Sequence, residues 1–186
     1  MCRGNDTEVL SLPDPCEGGR PLMEYAFEPI TRKHREAVID IFNHFVVNSY
    51  AAYPERPVEY DFFDYLYVEP RDYPAVAVTS ETAGIVGFGF MRPYDSDESF
   101  KHTAEVTYFI LPSHTGKGLG TGMLRLFCDQ ALHRGIRSLM ANISSLNDAS
   151  ISFHLKNGFQ EWGRFYRVGS KFGVEFDVLW MEKCLK

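Results

Sequence analysis

The sequence predicts one mixed α/β domain (α+β class) in which a central, mostly antiparallel, twisted sheet is flanked by helices. Strand-length and helix-length patterns follow one another in the order βααβββαβαββ over residues 24–186, without an internal repeat or a linker. Hydrophobic residues make up 45% and charged residues 24% of the 186 residues, which is the composition of a globular chain that can bury a sizeable core. We therefore expect a single folded unit.

The chain is expected to begin with a flexible N-terminal extension, residues 1–22, because Gly, Pro, Asp and Asn occur there without sustained periodicity. The folded domain is expected to span residues 23–186. A short strand at residues 25–27 opens it, and Thr31 is placed to cap a first helix in which His34 is a solvated residue. Helical spacing then continues through Ala37, Val38, Ile41 and Phe42.

The middle of the chain predicts a second helix and three strands. The helix covers residues 60–68. Two strands at residues 75–78 and 85–90 flank the short turn at residues 81–84, so they are expected to form a hairpin. A polar loop then leads to a longer strand at residues 103–111.

The last part of the chain predicts two helices and three strands. An amphipathic helix runs from residue 119 to about residue 134, because apolar residues recur along one of its faces. A strand at residues 138–143 is followed by a helix at residues 148–157, which is closed by a glycine. The chain ends in a pair of strands at residues 159–168 and 174–182.

Charge and composition argue against several classes of protein. The chain carries 19 Lys and Arg against 25 Asp and Glu, a formal net charge of −6, so no nucleic-acid partner is expected. Its apolar runs have strand length, which predicts no membrane helix. Four cysteines without C-x-x-C spacing predict neither a disulfide framework nor a metal site. With no apolar leader, a cytoplasmic location is expected.

The strongest local feature is the glycine-rich segment of residues 113–122, between a strand and a helix. Glycines let main-chain amides converge on one point, and the helix N-terminus adds partial positive charge, so the segment suits a phosphate or pyrophosphate. It is not a Walker loop, because Leu111 stands where that loop needs glycine, and Thr121 breaks the dinucleotide fingerprint. A flexible connection without a ligand is the alternative.

Residues 115–120, Thr-Gly-Lys-Gly-Leu-Gly, resemble the acyl-CoA pyrophosphate loop of the GNAT superfamily of N-acetyltransferases. The superfamily signature is Arg or Gln, two variable residues, Gly, any residue, then Gly or Ala. Thr115 stands where Arg or Gln is usual, but the glycine amides are retained. The resemblance implies a GNAT-like fold.

A second segment, residues 147–159, is similar to the later CoA-side motif of the superfamily, in which Asn contacts the pantetheine arm and a helix carries Tyr one turn before Gly-Phe. Here His154 stands at the Tyr position. This substitution, with Thr-Ala-Glu at residues 103–105 and the segment 169–173 followed by Asp177, resembles the phosphinothricin N-acetyltransferase subgroup. The resemblance extends from about residue 27 to residue 183.

The resemblance implies that acetyl-CoA is the co-substrate and that no metal is involved. The glycine loop would contact the pyrophosphate, and a splay beside the preceding strand would free main-chain groups for the pantetheine, with an amide near Phe109 for the oxyanion. The implied cofactor-binding residues are Tyr108, Phe109, Ile110, Leu111, Thr115, Gly116, Lys117, Gly118, Leu119, Gly120, Thr121 and Asn147.

Glu105 and His154 are the predicted catalytic residues. A carboxylate in a half-buried strand needs a partner, and loss of water favours its role as a proton acceptor, although a structural ion pair is the alternative. The resemblance implies that Glu105 deprotonates the acceptor amine, directly or through water. It also implies that His154 lies close to Glu105 and either protonates the departing CoA thiolate or orients Glu105; a packed helix residue is the alternative.

The resemblance implies direct transfer to the α-amino group of a small amino acid or analogue, such as phosphinothricin, methionine sulfone or methionine sulfoximine. Lys101 and Lys171 are candidates to bind a substrate carboxylate, and a solvated lysine is the alternative for each. Members of the subgroup are commonly dimers, so a homodimer is expected. The predicted substrate-binding residues are Tyr53, Lys101, His102, Thr103 and Lys171.

Two other functions stay open. Glu175 and Phe176 replace the subgroup's usual Trp, which is compatible with a different amine, such as a polyamine or a protein N-terminus. A non-catalytic sensor that binds acyl-CoA is the second alternative, because the glycine loop by itself does not require turnover.

Overall fold

The computed structural model describes residues 25–68 and 73–186, and its helices and strands follow the predicted order. The predicted extension, residues 1–22, lies outside the described residues. The strands are β1 (Tyr25–Pro29), β2 (Ala75–Ser80), β3 (Gly84–Pro93), β4 (Thr103–Ile110), β5 (Ser138–Ser144), β6 (Gln160–Lys171) and β7 (Val174–Cys184). The helices are α1 (Arg35–Asn48), α2 (Phe62–Val68), α3 (Leu119–His133) and α4 (Asp148–Lys156).

The strands form one seven-stranded sheet in the order β1-β2-β3-β4-β5-β7-β6. Neighbouring strands are antiparallel except β4 and β5, which run parallel. The β2–β3 hairpin and the terminal β6–β7 pair confirm the sequence prediction. Between β4 and β5 the chain crosses through α3, because a parallel pair needs a long connection.

The parallel pair is short and opens into a gap. β4 and β5 pair at three positions, residues 103–105 with residues 138–140. Beyond Glu105, β4 stays paired with β3 as far as Ile110, and β5 stays paired with β7 as far as Ser144. Among residues 25–68 and 73–186, the facing edges of β4 and β5 therefore have no strand partner beyond this point, which is the splay that the family resemblance implies.

The sheet separates two hydrophobic cores. Helices α3 and α4 cover one face, where Phe127 is fully buried. Helices α1 and α2 cover the other face, where the rings of Phe42 and Phe109 pack edge to face at 5.5 Å. Because side chains alternate along a strand, Glu105 lies on the same face as Phe109, and Tyr108 lies on the α3/α4 face.

His34 is buried, so the prediction that it is a solvated helix residue is wrong. Only 4% of it is exposed, and its Nδ1 accepts a hydrogen bond from the main-chain N–H of Thr31 at 3.1 Å. A short helical turn at residues 32–34, which precedes α1, contains this residue. Burial lowers the pKa of this imidazole.

None of the helices in residues 25–68 and 73–186 combines the length and apolar character that crossing a membrane requires. Within the same ranges, no group of three or more His, Cys, Asp or Glu side chains is arranged to hold a metal ion. The two cysteines in this part of the chain, Cys128 and Cys184, are free thiols.

Candidate functional site

A cleft of about 440 Å³ opens between the end of β4 and the N-terminal ends of α3 and α4. Phe45 and Ala51 close it from the α1 side, and Ser150 and Phe153 close it from α4. Ten of the twelve residues predicted to bind the cofactor line this cleft: Tyr108, Phe109, Ile110, Thr115, Gly116, Gly118, Leu119, Gly120, Thr121 and Asn147.

The loop before α3 presents main-chain amides to the cleft. Gly116 and Gly118 have φ angles of 73° and 82°, a conformation that side-chain-bearing residues rarely adopt. The first main-chain hydrogen bond of α3 runs from the Gly122 N–H to the Gly118 carbonyl oxygen at 2.9 Å. The amides of residues 119–121 therefore have no acceptor within the helix, and together with the helix dipole they fit a pyrophosphate group.

Two predicted cofactor residues do not line the cleft. The Nζ of Lys117 donates to the Tyr25 hydroxyl at 3.0 Å, and that hydroxyl donates to His114 Nδ1 at 2.8 Å. The ammonium group is therefore held toward β1. Leu111 packs against the core on the α1/α2 face.

A smaller cavity, about 70 Å³, lies in the gap between β4 and β5. Thr107 of β4, Asn142 of β5 and His154 of α4 line it. Five residues line both this cavity and the larger cleft, which shows that the cleft continues into the gap: Ala51, Tyr108, Phe109, Asn147 and Ser150. The unpaired edge of β4 beyond Glu105 thus faces a space that is open to a ligand.

Glu105 lies at the point where β4 and β5 separate. Its carboxylate is buried, and its Oε2 accepts hydrogen bonds from Arg92 Nε at 2.8 Å and Nη2 at 2.6 Å. Asn142 Nδ2 donates to Oε1. Arg92 is the direct cross-strand partner of Glu105 on β3, so the guanidinium and the amide together hold a charged carboxylate in one orientation.

Tyr53 joins this network through Asn142. Its hydroxyl donates to Asn142 Oδ1 at 3.1 Å, and its ring stacks on Phe176 at 5.8 Å. Burial and the nearby Glu105 charge raise the pKa of Tyr53 to about 12, so the phenol stays protonated and remains a hydrogen-bond donor. Of the predicted substrate-binding residues, Tyr53 is the one that the structure connects to Glu105.

Sequence reasoning missed Arg92 and Asn142. Both reach Glu105 across strands that are distant in sequence, so no local spacing connects the three residues. The available signal was weak: each is a polar side chain in a strand whose neighbours are largely apolar.

His154 has partners other than Glu105. Its Nδ1 lies 2.7 Å from the Ser150 carbonyl oxygen, so Nδ1 carries the proton. Nε2 then accepts from the Tyr108 hydroxyl at 2.6 Å. Both ring nitrogens are therefore occupied on the α3/α4 side, and the structure does not support the orienting role toward Glu105.

Burial lowers the pKa of His154 to about 4. Its ring is 3% exposed, and the Ser150 carbonyl only partly offsets the loss of water. The imidazole is neutral at pH 7, so His154 is not already protonated and cannot act as the acid that protonates a departing thiolate. We interpret His154 as a residue that positions Tyr108.

His154→Gln is expected to reduce the loss of stability at acid pH. An unfolded imidazole titrates near pH 6.5, and the folded one near pH 4, so the native state loses stability as pH falls between these values. At pH 4.5 this difference in pKa lowers the free energy of unfolding of the wild type by on the order of 2–3 kcal/mol relative to pH 7. Urea unfolding at pH 7 and pH 4.5 measures the free energy of unfolding of the wild type and of His154→Gln. If both proteins lose the same free energy between these pH values, the lowered pKa of His154 is contradicted.

Lys101 and His102 lie before β4, and Thr103 is its first residue. Lys101 is exposed and pairs with Glu98 at 3.1 Å. His102 is exposed, and its Nδ1 donates to the Gly135 carbonyl at 2.8 Å at the end of α3. These contacts tie Lys101 to Glu98 and His102 to Gly135. Thr103 stays a predicted substrate-binding residue.

Lys171 is fully buried. The sequence had predicted either a lysine that binds a substrate carboxylate or a solvated lysine. Its Nζ donates to the carbonyl oxygens of Ser49 at 2.8 Å and Ala52 at 2.6 Å. Burial lowers the pKa of this ammonium group. Because its donors are used by main-chain carbonyls, Lys171 supports the segment that carries Ala51 and Tyr53 and does not present its charge to a substrate.

The comparisons with known proteins agree with this geometry. Residues 38–159 match the model of the Acetyltransferase (GNAT) family. An L-methionine sulfoximine/L-methionine sulfone acetyltransferase of Salmonella typhimurium is 33% identical over 149 residues, 78% of this chain and 86% of that protein. The phosphinothricin N-acetyltransferase of Streptomyces coelicolor is 28% identical over 170 residues, 89% of this chain and 95% of that protein.

Solved structures share the fold. An acetyltransferase of Salmonella typhimurium with acetyl-CoA has a TM-score of 0.79 and 29% identity, covering 87% of this chain and 94% of that one. A ribosomal-protein-alanine N-acetyltransferase from Brucella melitensis has a TM-score of 0.78 and 30% identity, covering 86% and 99%. The chain belongs to the GNAT family and is an N-acetyltransferase that uses acetyl-CoA as its co-substrate.

Proposed function

We propose that this enzyme acetylates the amino group of a small amino acid or amino-acid analogue. The observation that carries the proposal is the buried, charged Glu105, which lies where β4 and β5 separate and is linked through Asn142 to Tyr53. Curated relatives are named as acetyltransferases for methionine sulfoximine, methionine sulfone and phosphinothricin, and these names support an acceptor of the same class.

In this proposal acetyl-CoA occupies the cleft between β4, α3 and α4. The amides of residues 116–121 bind the pyrophosphate, and Thr115 closes the preceding turn through a bond from its hydroxyl to the Pro112 carbonyl at 2.8 Å. The pantetheine lies along the unpaired edge of β4 and meets Asn147, which caps α4 through its Oδ1. An N–H near Phe109 stabilises the oxyanion.

Glu105 serves as the general base. The ammonium group of the acceptor loses two protons during transfer: one leaves through Glu105, directly or through water, and the other ends on the CoA thiol. The nitrogen attacks the thioester carbonyl, and the carbon–sulfur bond then breaks. Arg92 and Asn142 keep the Glu105 carboxylate oriented. Much of the rate enhancement therefore comes from the positioning of the base relative to the acceptor amine.

Release of the CoA thiol from acetyl-CoA tests the acceptor class. We expect the highest kcat/KM with L-phosphinothricin, methionine sulfone or methionine sulfoximine, lower values with ordinary amino acids, and none without an amine. The acetylated product, which has no free ammonium group, serves as the negative control. A higher kcat/KM for a polyamine or a peptide N-terminus contradicts the proposal.

A protein N-terminus is the second candidate acceptor. The similarity to a ribosomal-protein-alanine N-acetyltransferase favours it. Phe176, which stands in the segment that differs from the subgroup, is buried and stacks on Tyr53, so this segment shapes the wall beside Glu105. A peptide that begins with Ala is therefore included in the acceptor panel.

A further inference from the structure

The ion pair with Glu105 uses only one edge of the Arg92 guanidinium group. Nε and Nη2 both donate to Glu105 Oε2, at 2.8 Å and 2.6 Å, so this edge holds the base. The adjacent edge, formed by Nη1 and the second N–H of Nη2, donates to no acceptor among residues 25–68 and 73–186. Two parallel N–H donors on such an edge match the two oxygens of a carboxylate.

The Arg92 side chain reaches solvent, whereas Glu105 does not. The side chain of Arg92 is 39% exposed and that of Glu105 is 6% exposed. Tyr53, which Asn142 links to Glu105, is 41% exposed. The buried carboxylate is thus flanked by two groups that reach the surface. A small acceptor that approaches Glu105 from this side therefore meets the guanidinium group.

We propose that Arg92 binds the carboxylate of the acceptor through this second edge, so that the site selects free α-amino acids. This inference rests on the proposed acetylation of a small amino acid and identifies the residue that recognises the acceptor.

Arg92 fits this role better than the two lysines that the sequence predicts for it. Lys171 is buried and donates to two main-chain carbonyl oxygens. Lys101 lies before β4 and pairs with Glu98 at 3.1 Å. Arg92, in contrast, is in direct contact with the base and keeps donors for a second carboxylate.

The charges of Arg92 and Glu105 complement those of an α-amino acid. Such an acceptor carries an ammonium group and a carboxylate on one carbon atom, and the site presents a carboxylate and a guanidinium group in hydrogen-bond contact. Opposite charges then face each other at both positions. A polyamine brings only positive charge to Arg92, and a peptide has an amide in place of the carboxylate beside its N-terminus. Both acceptors lose the charge-assisted hydrogen bonds.

Glu105 keeps one position for the ammonium group. A carboxylate has about four lone-pair sites. Oε2 accepts two N–H groups from Arg92, and Oε1 accepts one from Asn142. The lone pair that is left on Oε1 can accept from the ammonium group, directly or through water. Arg92 therefore orients both the base and the acceptor, which fixes the amine relative to Glu105.

A comparison of L-methionine sulfone with the carboxamide of the same amino acid tests the proposal. Both compounds carry the α-amino group and the side chain, but only the first carries a carboxylate. We expect the wild-type kcat/KM to be about 10- to 100-fold higher for the acid, the equivalent of charge-assisted hydrogen bonds. Arg92→Met should reduce this ratio to about 1, and Arg92→Lys should retain part of it. Comparing the ratio between proteins cancels the different basicity of the two amines.

Asn142→Leu is the matched control, because it also removes a hydrogen-bond donor from Glu105. Both Arg92→Met and Asn142→Leu should lower kcat for both compounds, since the base is held less firmly. Only Arg92→Met should change the ratio between them. A wild-type ratio near 1 overturns the proposal, as does a ratio that Arg92→Met leaves unchanged or that Asn142→Leu lowers equally. Arg92 then acts only by positioning Glu105.

Binding without turnover separates this proposal from the proposed function. Calorimetric titration of the CoA-saturated protein with each compound gives a Kd in the absence of an acetyl donor, and CoA binding shows that Arg92→Met is folded. We expect the wild type to prefer the acid and Arg92→Met to bind both compounds equally. If the acid is preferred but not acetylated, the carboxylate site stands and the proposed transfer fails. Equal rates with both compounds contradict the carboxylate site alone, and a wild type that binds neither compound overturns it.

Discussion

Glu105→Gln is expected to lower kcat for acetyl transfer by roughly 100- to 10 000-fold, which is the range that a general base contributes. Glutamine keeps the shape of the side chain and a carbonyl oxygen for Arg92, but it cannot take a proton from the ammonium group of the acceptor. The affinity for acetyl-CoA should stay nearly unchanged, because Glu105 does not line the large cleft. Thiol release and a direct binding measurement give the two quantities.

The matched control is Glu182→Gln. Glu182 is also a strand carboxylate with a side-chain partner, Ser138, but it is half-buried and lies on β7. Its substitution should change kcat by no more than a few-fold. If Glu105→Gln retains more than a tenth of the wild-type kcat, Glu105 is a structural ion-pair residue and the base lies elsewhere.

Gly118→Val is expected to raise the Kd for acetyl-CoA by about 10- to 100-fold, the equivalent of one lost hydrogen bond to a charged group. Gly118 has a φ of 82° and caps α3, and a β-branched residue does not hold that conformation without strain. The loop must rearrange, so the amides of residues 119–121 no longer converge. Calorimetric titration with acetyl-CoA measures the change.

Gly84→Val separates loss of the site from loss of stability. Gly84 has a φ of 69°, and a Cβ at either glycine meets no atom within 4 Å, so both substitutions strain the backbone alone. Gly84 begins β3 in the turn after β2, outside the residues that line the cleft. Both variants should lose similar stability, but Gly84→Val should bind acetyl-CoA as the wild type does. Equal affinity in both variants rules out the amide loop as the binding element.

The parts of the structure that local spacing determines were predictable from the sequence. The period of apolar residues indicated α3, and the turn between β2 and β3 indicated their hairpin. The glycines at 116 and 118 indicated a loop of unusual backbone conformation. Each of these features depends on residues within one or two turns of each other, so a single sequence contains the whole signal.

Features that depend on long-range packing were not predictable in the same way. The partners of Glu105 come from β3 and β5, and only the folded sheet shows that Arg92 and Asn142 meet there. For Lys171 the sequence predicted a role that the structure does not show. A lysine in a glycine-rich segment gives no sign that its ammonium group is buried and donates to two main-chain carbonyl oxygens. The family resemblance named the residue but not this role.

The separation of β4 from β5 has a consequence for how long the protein survives. Only three residue pairs join these strands, so the two parts of the sheet are weakly connected through their main chains. Acetyl-CoA bound along this gap, as proposed, supplies hydrogen bonds that the strands do not give each other, and its binding free energy adds to the free energy of unfolding. The supply of acetyl-CoA would then govern the lifetime of the enzyme against proteolysis as well as its rate.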